Sequence, residues 1–136
     1  MGERLRDGPL RADPEALAGG EPTITCHGVV DNVHRWLGAC DTYVMPSRWE
    51  GLPIAGMEAA GTGIPCVFSD IEPLRELGYP AALFYTPEDV DGLAERLRER
   101  LGGRDSASDE AVAGARDRFG IDRMAREYVE YYTRMA

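Results

Sequence analysis

Two acids separated by seven positions, Glu50 and Glu58, have the residue type and the spacing to do chemistry in this 136-residue chain. Glu50 follows an apolar run and a Pro-Ser pair, and Glu58 falls inside the helix predicted to begin near Pro53. Ile54 and Glu58 share a helix face, so both acids can face one cleft at the helix N-terminus. Free N–H groups there suit phosphate, and carboxylates accept hydrogen bonds from sugar hydroxyls. The pattern therefore predicts a site for a polyhydroxylated anion.

Short apolar runs alternate with amphipathic segments along the chain, which is typical of a parallel sheet covered by helices. The apolar runs predict strands at 23–26, 42–45, 65–68 and 82–85. Helical spacing predicts helices at 33–40, 53–60, 74–77, 88–101, 110–119 and 122–135. The expected fold class is α/β, with about four parallel strands, flanking helices and a C-terminal helical pair.

The charge and composition of the chain argue against some kinds of binding partner. The net charge is −9 and every basic residue is Arg, which argues against a nucleic acid and against an anionic membrane surface. No apolar run has membrane length and no signal-peptide pattern is present, so we expect a soluble cytoplasmic protein with no membrane segment. The three cysteines, Cys26, Cys40 and Cys66, lack metal-site spacing and are expected to be small core residues, with no metal bound.

The two ends of the chain give weaker signals. Residues 1–20 are polar and broken by Pro and Gly, so we expect either a short helix at 10–18 or a poorly ordered terminus. Near the other end, an apolar group at helical spacing is expected to pack into the core rather than to line a ligand pocket. Its members are Tyr128, Tyr131, Tyr132 and Met135.

The segment 46–70, PSRWEGLPIAGMEAAGTGIPCVFSD, resembles the E-x7-E signature of retaining GT-B glycosyltransferases of the family-4 type. That family transfers sugars from nucleotide diphosphates. Four further segments resemble it in the same order, at 7–11, 28–41, 69–77 and 119–132. The resemblance covers nearly the whole chain and implies the partial Rossmann-like sheet of the C-terminal, donor-binding half of a GT-B enzyme.

The resemblance also implies roles for particular residues. Glu50 would contact the donor sugar as the catalytic residue, Glu58 would contact the ribose, and backbone N–H groups with the helix dipole would hold the diphosphate. The implied donor-binding residues are Glu50, Gly51, Leu52, Ile54 and Glu58, and the implied nucleobase-binding residues are Gly28, Val29 and Val30. A nucleotide-diphosphate sugar would be the substrate, with no cofactor and no metal.

The chain departs from the family pattern at its N-terminal side. The family's diphosphate-binding Lys, two strands and its acceptor-binding domain have no counterpart here, and the chain contains no Lys. We therefore expect residues 1–136 to form one incomplete, N-terminally truncated donor domain that lacks transfer activity on its own. An acceptor-domain subunit or self-association would complete it. Alternatives are a non-catalytic module that binds a nucleotide sugar or a partner, and an α/β domain whose motif has decayed.

The missing strands bear on the sheet. In a monomer, strand 23–26 either pairs directly with strand 42–45 or leaves the sheet. If it keeps its family position instead, another polypeptide fills the gap.

Overall fold

The computed structural model describes residues 2–4, 16, 19–102 and 107–135. The chain divides into two compact units, Met1–Val33 and His34–Ala136, which are described separately. Most of the segment 1–20, with the helix expected at 10–18, lies outside the described residues.

The N-terminal unit contains a two-stranded parallel sheet. Strand β1 (Gly2–Arg4) pairs with β2 (Ile24–Cys26), and Gly2 lies opposite Ile24. Strand β2 was predicted, but β1 was not, because its Gly-Glu-Arg sequence contains no β-branched or aromatic residue. The direct pairing of strand 23–26 with strand 42–45 is wrong in this structure, since the partner of β2 is β1.

The second unit is built on a three-stranded parallel sheet in the order β3-β4-β5. These strands are β3 (Tyr43–Met45), β4 (Cys66–Ser69) and β5 (Ala82–Tyr85). Tyr43 lies opposite Cys66, which lies opposite Ala82. Every residue of β4 is buried, as expected of a central strand, and its sequence is apolar up to the polar Ser69 at its end. The α/β class with a parallel sheet is confirmed.

Within the described residues from 33 onwards, six helices precede, flank or follow this sheet, and each overlaps a predicted one. They are α1 (Val33–Leu37), α2 (Ile54–Thr62), α3 (Glu72–Arg75), α4 (Val90–Gly102), α5 (Asp109–Phe119) and α6 (Ile121–Met135). Helices α5 and α6 form the predicted C-terminal pair. No helix within the described ranges combines the length and the apolar character that a membrane crossing needs.

Helix α2 is held at both ends, which matters because it follows the loop that carries Glu50. Near its start, Gly56 packs closely against the side chains of Leu77 and Met45. A β-carbon added to Gly56 would lie only 3.0 Å from a methyl group of Leu77 and 3.5 Å from the sulfur of Met45. At its end, Gly63 has a left-handed φ of 83° and terminates the helix. Arg116 of α5 donates a 2.8 Å hydrogen bond to the Gly61 carbonyl. These contacts fix α2 against the sheet and α5.

Phe68 forms the centre of the sheet's core. It is fully buried and makes edge contacts with the rings of Tyr43 and Phe84, at centroid distances of 6.4 and 6.1 Å. Leu74 packs into the same core and is also fully buried. This apolar centre anchors the carboxyl ends of the strands, where the chain leaves the sheet for its loops.

Two predictions about burial are wrong. Helix α6 has the predicted amphipathic pattern, but its apolar side chains are exposed in the structure, including Tyr128, Tyr131, Tyr132 and Met135. Cys66 is buried as predicted and Cys26 is half-buried, but Cys40 is exposed because α1 ends at Leu37. The spacing of apolar residues along a helix predicts which residues share a face. Whether that face is buried depends on another element packing against it.

Candidate functional site

The candidate site is the loop 46–53, which leaves the carboxyl end of β3 and enters α2. The adjacent strand β4 ends at Ser69, on the same edge of the sheet because the strands are parallel. The buried Ser69 hydroxyl donates a 2.5 Å hydrogen bond to the Ser47 carbonyl and lies 3.4 Å from the Met45 carbonyl. The end of β4 thus fixes the start of the loop.

A second hydroxyl orients the first acid. Ser47 Oγ donates a 2.6 Å hydrogen bond to Oε1 of Glu50, whose side chain is half-buried. A short bond from a hydroxyl to a carboxylate is stronger than one between neutral groups. The other carboxylate oxygen has no hydrogen-bond donor among the described residues, so it can accept a bond from a ligand.

Glu58 lies on the fifth residue of α2, one turn beyond Ile54, as the sequence predicts. Its side chain is exposed and forms no hydrogen bond or ion pair within the part of the chain that is described. Glu50 and Glu58 therefore belong to one continuous loop-and-helix segment. That both carboxylates reach the same ligand stays a prediction.

The N-terminus of α2 has no side-chain cap. Pro53 occupies the capping position, and its ring can supply neither a hydroxyl nor an N–H group. The Ile54 N–H donates a 2.8 Å hydrogen bond to the Leu52 carbonyl, so it is already engaged. Within the described residues, the first-turn N–H groups left without an acceptor belong to Ala55 and Gly56. These two residues were not among the predicted diphosphate ligands.

The turn after β4 is fixed by a charged pair beside the site. Arg75 donates from Nε and Nη2 to both carboxylate oxygens of Asp70, and its guanidinium lies 5.6 Å from the centre of the Phe84 ring. The hydrogen bond from Arg75 holds the pKa of Asp70 below its usual value. The Asp70 N–H also donates to the Tyr85 carbonyl at 2.8 Å, which ties this turn to β5.

The predicted nucleobase residues lie in the N-terminal unit. Gly28 is buried and has a φ of 70°, a left-handed conformation that suits glycine. Val29 is exposed and Val30 is half-buried. Their contact with a base stays a prediction.

Metal-binding side chains are not clustered in the described parts of the chain: no group of three or more His, Cys, Asp or Glu residues there could hold an ion. The groups that the loop and the start of α2 offer are the Glu50 carboxylate, the Ser47 hydroxyl and backbone N–H groups. Such donors and acceptors suit a sugar that carries phosphate.

Sequence reasoning named Glu50, Gly51, Leu52 and Ile54 as donor-binding residues. The first three lie in the loop, Ile54 begins α2, and their contact with a donor stays a prediction. Sequence reasoning missed the two serines that hold the loop. The signal for Ser47 was a hydroxyl three positions before Glu50, in a loop that ends before the helix begins at Ile54. Ser69 carried only the weaker signal of a polar residue ending a buried strand.

Comparison with known proteins places this chain in a family. The family model described as glycosyl transferases group 1 matches residues 2–102, which include both glutamates. A lipopolysaccharide core biosynthesis mannosyltransferase of Rhizobium meliloti is 28% identical over 86% of this chain and 35% of its own length. Sulfoquinovosyl transferase of Arabidopsis thaliana is 32% identical over 94% of this chain and 24% of its own.

A shorter match is closer in sequence. A UDP-Gal:alpha-D-GlcNAc-diphosphoundecaprenol alpha-1,3-galactosyltransferase of Escherichia coli is 54% identical over 35 residues, which is 26% of this chain and 9% of that protein. The matched part of the chain thus spans between 9% and 35% of the length of these curated relatives.

Proposed function

The chain belongs to the glycosyl transferases group 1 family, and from that premise we propose that it is the donor-binding part of a retaining GT-B glycosyltransferase of the family-4 type. Its substrate is a nucleotide-diphosphate sugar. The observation that supports this most strongly is the Ser47–Glu50 bond, which presents one carboxylate oxygen beside an uncapped helix N-terminus. Hydroxyls and phosphates of one ligand are the groups that this pair of features can bind together.

In the proposed mechanism, three parts of the site bind the sugar, the diphosphate and the ribose of the donor. The open oxygen of Glu50 accepts a hydrogen bond from a sugar hydroxyl and orients the ring. The N–H groups of Ala55 and Gly56 and the dipole of α2 stabilise the diphosphate as it leaves with increasing negative charge. Glu58, one turn further along, accepts a hydrogen bond from the ribose. No metal takes part in this scheme, and we place the reaction in the cytoplasm.

A second candidate is a module that binds a nucleotide sugar without transferring it. Its support is the weak positive charge of the loop: the chain has no Lys, and Arg48 is paired with Glu88. With the helix N-terminus as the main anion-binding group, we expect dissociation constants of about 0.1–1 mM for a nucleoside diphosphate. Transfer measured after an acceptor-binding domain is supplied as a separate polypeptide would distinguish the two candidates, since the module would bind the nucleotide sugar and still not transfer it.

A thermal-shift screen tests the proposal. The names of the relatives span mannosyl, galactosyl and sulfoquinovosyl transfer. Suitable probes are therefore uridine and guanosine diphosphates, UDP-galactose and GDP-mannose. At a concentration ten times the dissociation constant, binding to the native state adds about 1.4 kcal/mol and raises the Tm by a few degrees. The control is the chain carrying both Glu50→Gln and Glu58→Gln. If every probe shifted the Tm of the native chain and of this control by the same amount, the proposal would be contradicted.

A further inference from the structure

We infer that Ser69 is a positioning residue for the donor site, acting through Ser47 on Glu50. The inference rests on the proposed function, because Glu50 is the acid that would hold the sugar. Ser69 lies nineteen positions after Glu50 in the sequence and outside the loop that would touch the ligand. Its effect would therefore be indirect, through the two hydrogen bonds that join the three residues.

The connection consists of two short bonds in series. Ser69 Oγ donates to the Ser47 carbonyl at 2.5 Å, and Ser47 Oγ donates to Glu50 Oε1 at 2.6 Å. The first bond fixes the main chain of Ser47, and the second uses the side chain of the same residue. Displacement of the Ser47 backbone therefore moves the hydroxyl that orients the carboxylate.

The surroundings make this connection important for the loop. Ser69 is 1% exposed, and a buried hydroxyl without a partner is costly, so its bond to the loop persists. By contrast, Pro46, Arg48 and Trp49 are exposed and contribute little packing to hold the loop. The buried end of β4 is thus the rigid element from which the position of Glu50 is set.

A purely stabilising role for Ser69 is the competing explanation, and the chain offers a matched control for it. Tyr79 is also buried, and its hydroxyl donates a 3.2 Å hydrogen bond to the Ile64 carbonyl. Ile64 precedes β4, so this bond lies at the amino end of the strand, opposite to Ser69. Tyr79→Phe removes a buried hydroxyl-to-carbonyl bond without touching the loop.

The experiment compares Ser69→Ala, Ser47→Ala, the double variant and Tyr79→Phe in the 136-residue chain. Calorimetry with UDP, UDP-galactose, GDP and GDP-mannose gives the factor by which the sugar changes the affinity. Ser69→Ala and Ser47→Ala should each weaken the sugar-bearing ligand about three- to tenfold and leave the bare diphosphate within about twofold. The double variant should lose no more than the larger single loss, since both act on one carboxylate. Tyr79→Phe should change neither affinity.

Amide NMR spectra of the free protein provide a second measurement that needs no ligand. Ser69→Ala should shift the amide signals of Ser47 and Glu50, and Tyr79→Phe should not. Losses from Ser69→Ala and Ser47→Ala that add in the double variant would overturn the inference. So would unchanged Glu50 signals in Ser69→Ala. If the native chain binds none of the four nucleotides, the proposed function fails, and the spectra still decide whether Ser69 sets the position of Glu50.

Discussion

The Nε atom of Arg48 lies 2.9 Å from a carboxylate oxygen of Glu88, and this pair joins the loop after β3 to the loop after β5. The two side chains are 80% and 66% exposed, so the pair contributes only about 0–1 kcal/mol to stability. Glu88 has a φ of 69°, a left-handed conformation that is uncommon for a residue with a side chain. Arg48 is the basic residue nearest to Glu50 in the sequence, and Glu88 already neutralises it.

Glu88→Gln should therefore tighten the binding of a bare nucleoside diphosphate. Removing the competing carboxylate frees Arg48 for the phosphates, and we expect a gain of about two- to fivefold at low salt that fades at high salt. Glu95→Gln is the control, because Glu95 is exposed on α4 and its replacement changes the net charge equally. Calorimetry that finds the same gain in both variants would show a general charge effect and reject a specific one.

The end of α2 gives a prediction about stability. Gly63→Ala places a methyl group on a residue with left-handed φ and within 2.6 Å of a Val112 methyl, so we expect a loss of about 1–3 kcal/mol. Gly61→Ala is the matched control in the same helix. Nothing lies within 4 Å of the added methyl there, and it should stabilise by up to about 1 kcal/mol. Urea unfolding measures both, and similar effects from the two substitutions would contradict the described end of the helix.

Alkaline pH should destabilise the fold through two buried groups. Burial raises the pKa of the Cys66 thiol to about 12, and burial also raises the pKa of the Tyr79 hydroxyl to about 12. Since both folded pKa values exceed the unfolded ones, the stability is complete below pH 9.0, the ordinary thiol pKa, and is lost as the pH rises towards 12.

The corresponding measurement is the unfolding free energy of the native chain, Cys66→Ala and Tyr79→Phe between about pH 8 and 11, the range in which a thiol titrates. Cys66→Ala should reduce the alkaline loss of stability, and Tyr79→Phe should reduce it at the upper end of this range. An alkaline loss of equal size in all three proteins would disprove the roles of Cys66 and Tyr79.

The parts of the fold that follow from local pattern could be predicted. Strand β4 is apolar except for its last residue, and α2 lies between a Pro and a Gly that cap it, so both follow from rules about backbone and burial. Strand β1 was missed because its pairing with β2 depends on tertiary context and not on propensity. The exposed face of α6 was also predicted wrongly, since its pattern does not specify a partner.

The candidate site also has features that the sequence predicts and features that it does not. The spacing of Glu50 and Glu58 identified them as candidates, and the apolar run before the loop predicted where the loop begins. The Ile54 N–H could not be known to bond to Leu52, because a three-residue turn leaves no periodic signal. The contact between Ser69 and Ser47 joins residues 22 positions apart and depends on strand register, which the sequence fixes only through the folded sheet.

Calorimetry on Glu50→Gln and Glu58→Gln, each with a bare nucleoside diphosphate and with its sugar-bearing form, tests most directly whether these two acids bind one donor. Glu58→Gln should weaken both ligands, because the ribose is common to them. Glu50→Gln should weaken only the sugar-bearing ligand. Each loss should be about 1.5–3 kcal/mol if a carboxylate accepts a hydrogen bond from the donor. Equal losses for both ligands in both variants would contradict the separate roles of Glu50 and Glu58.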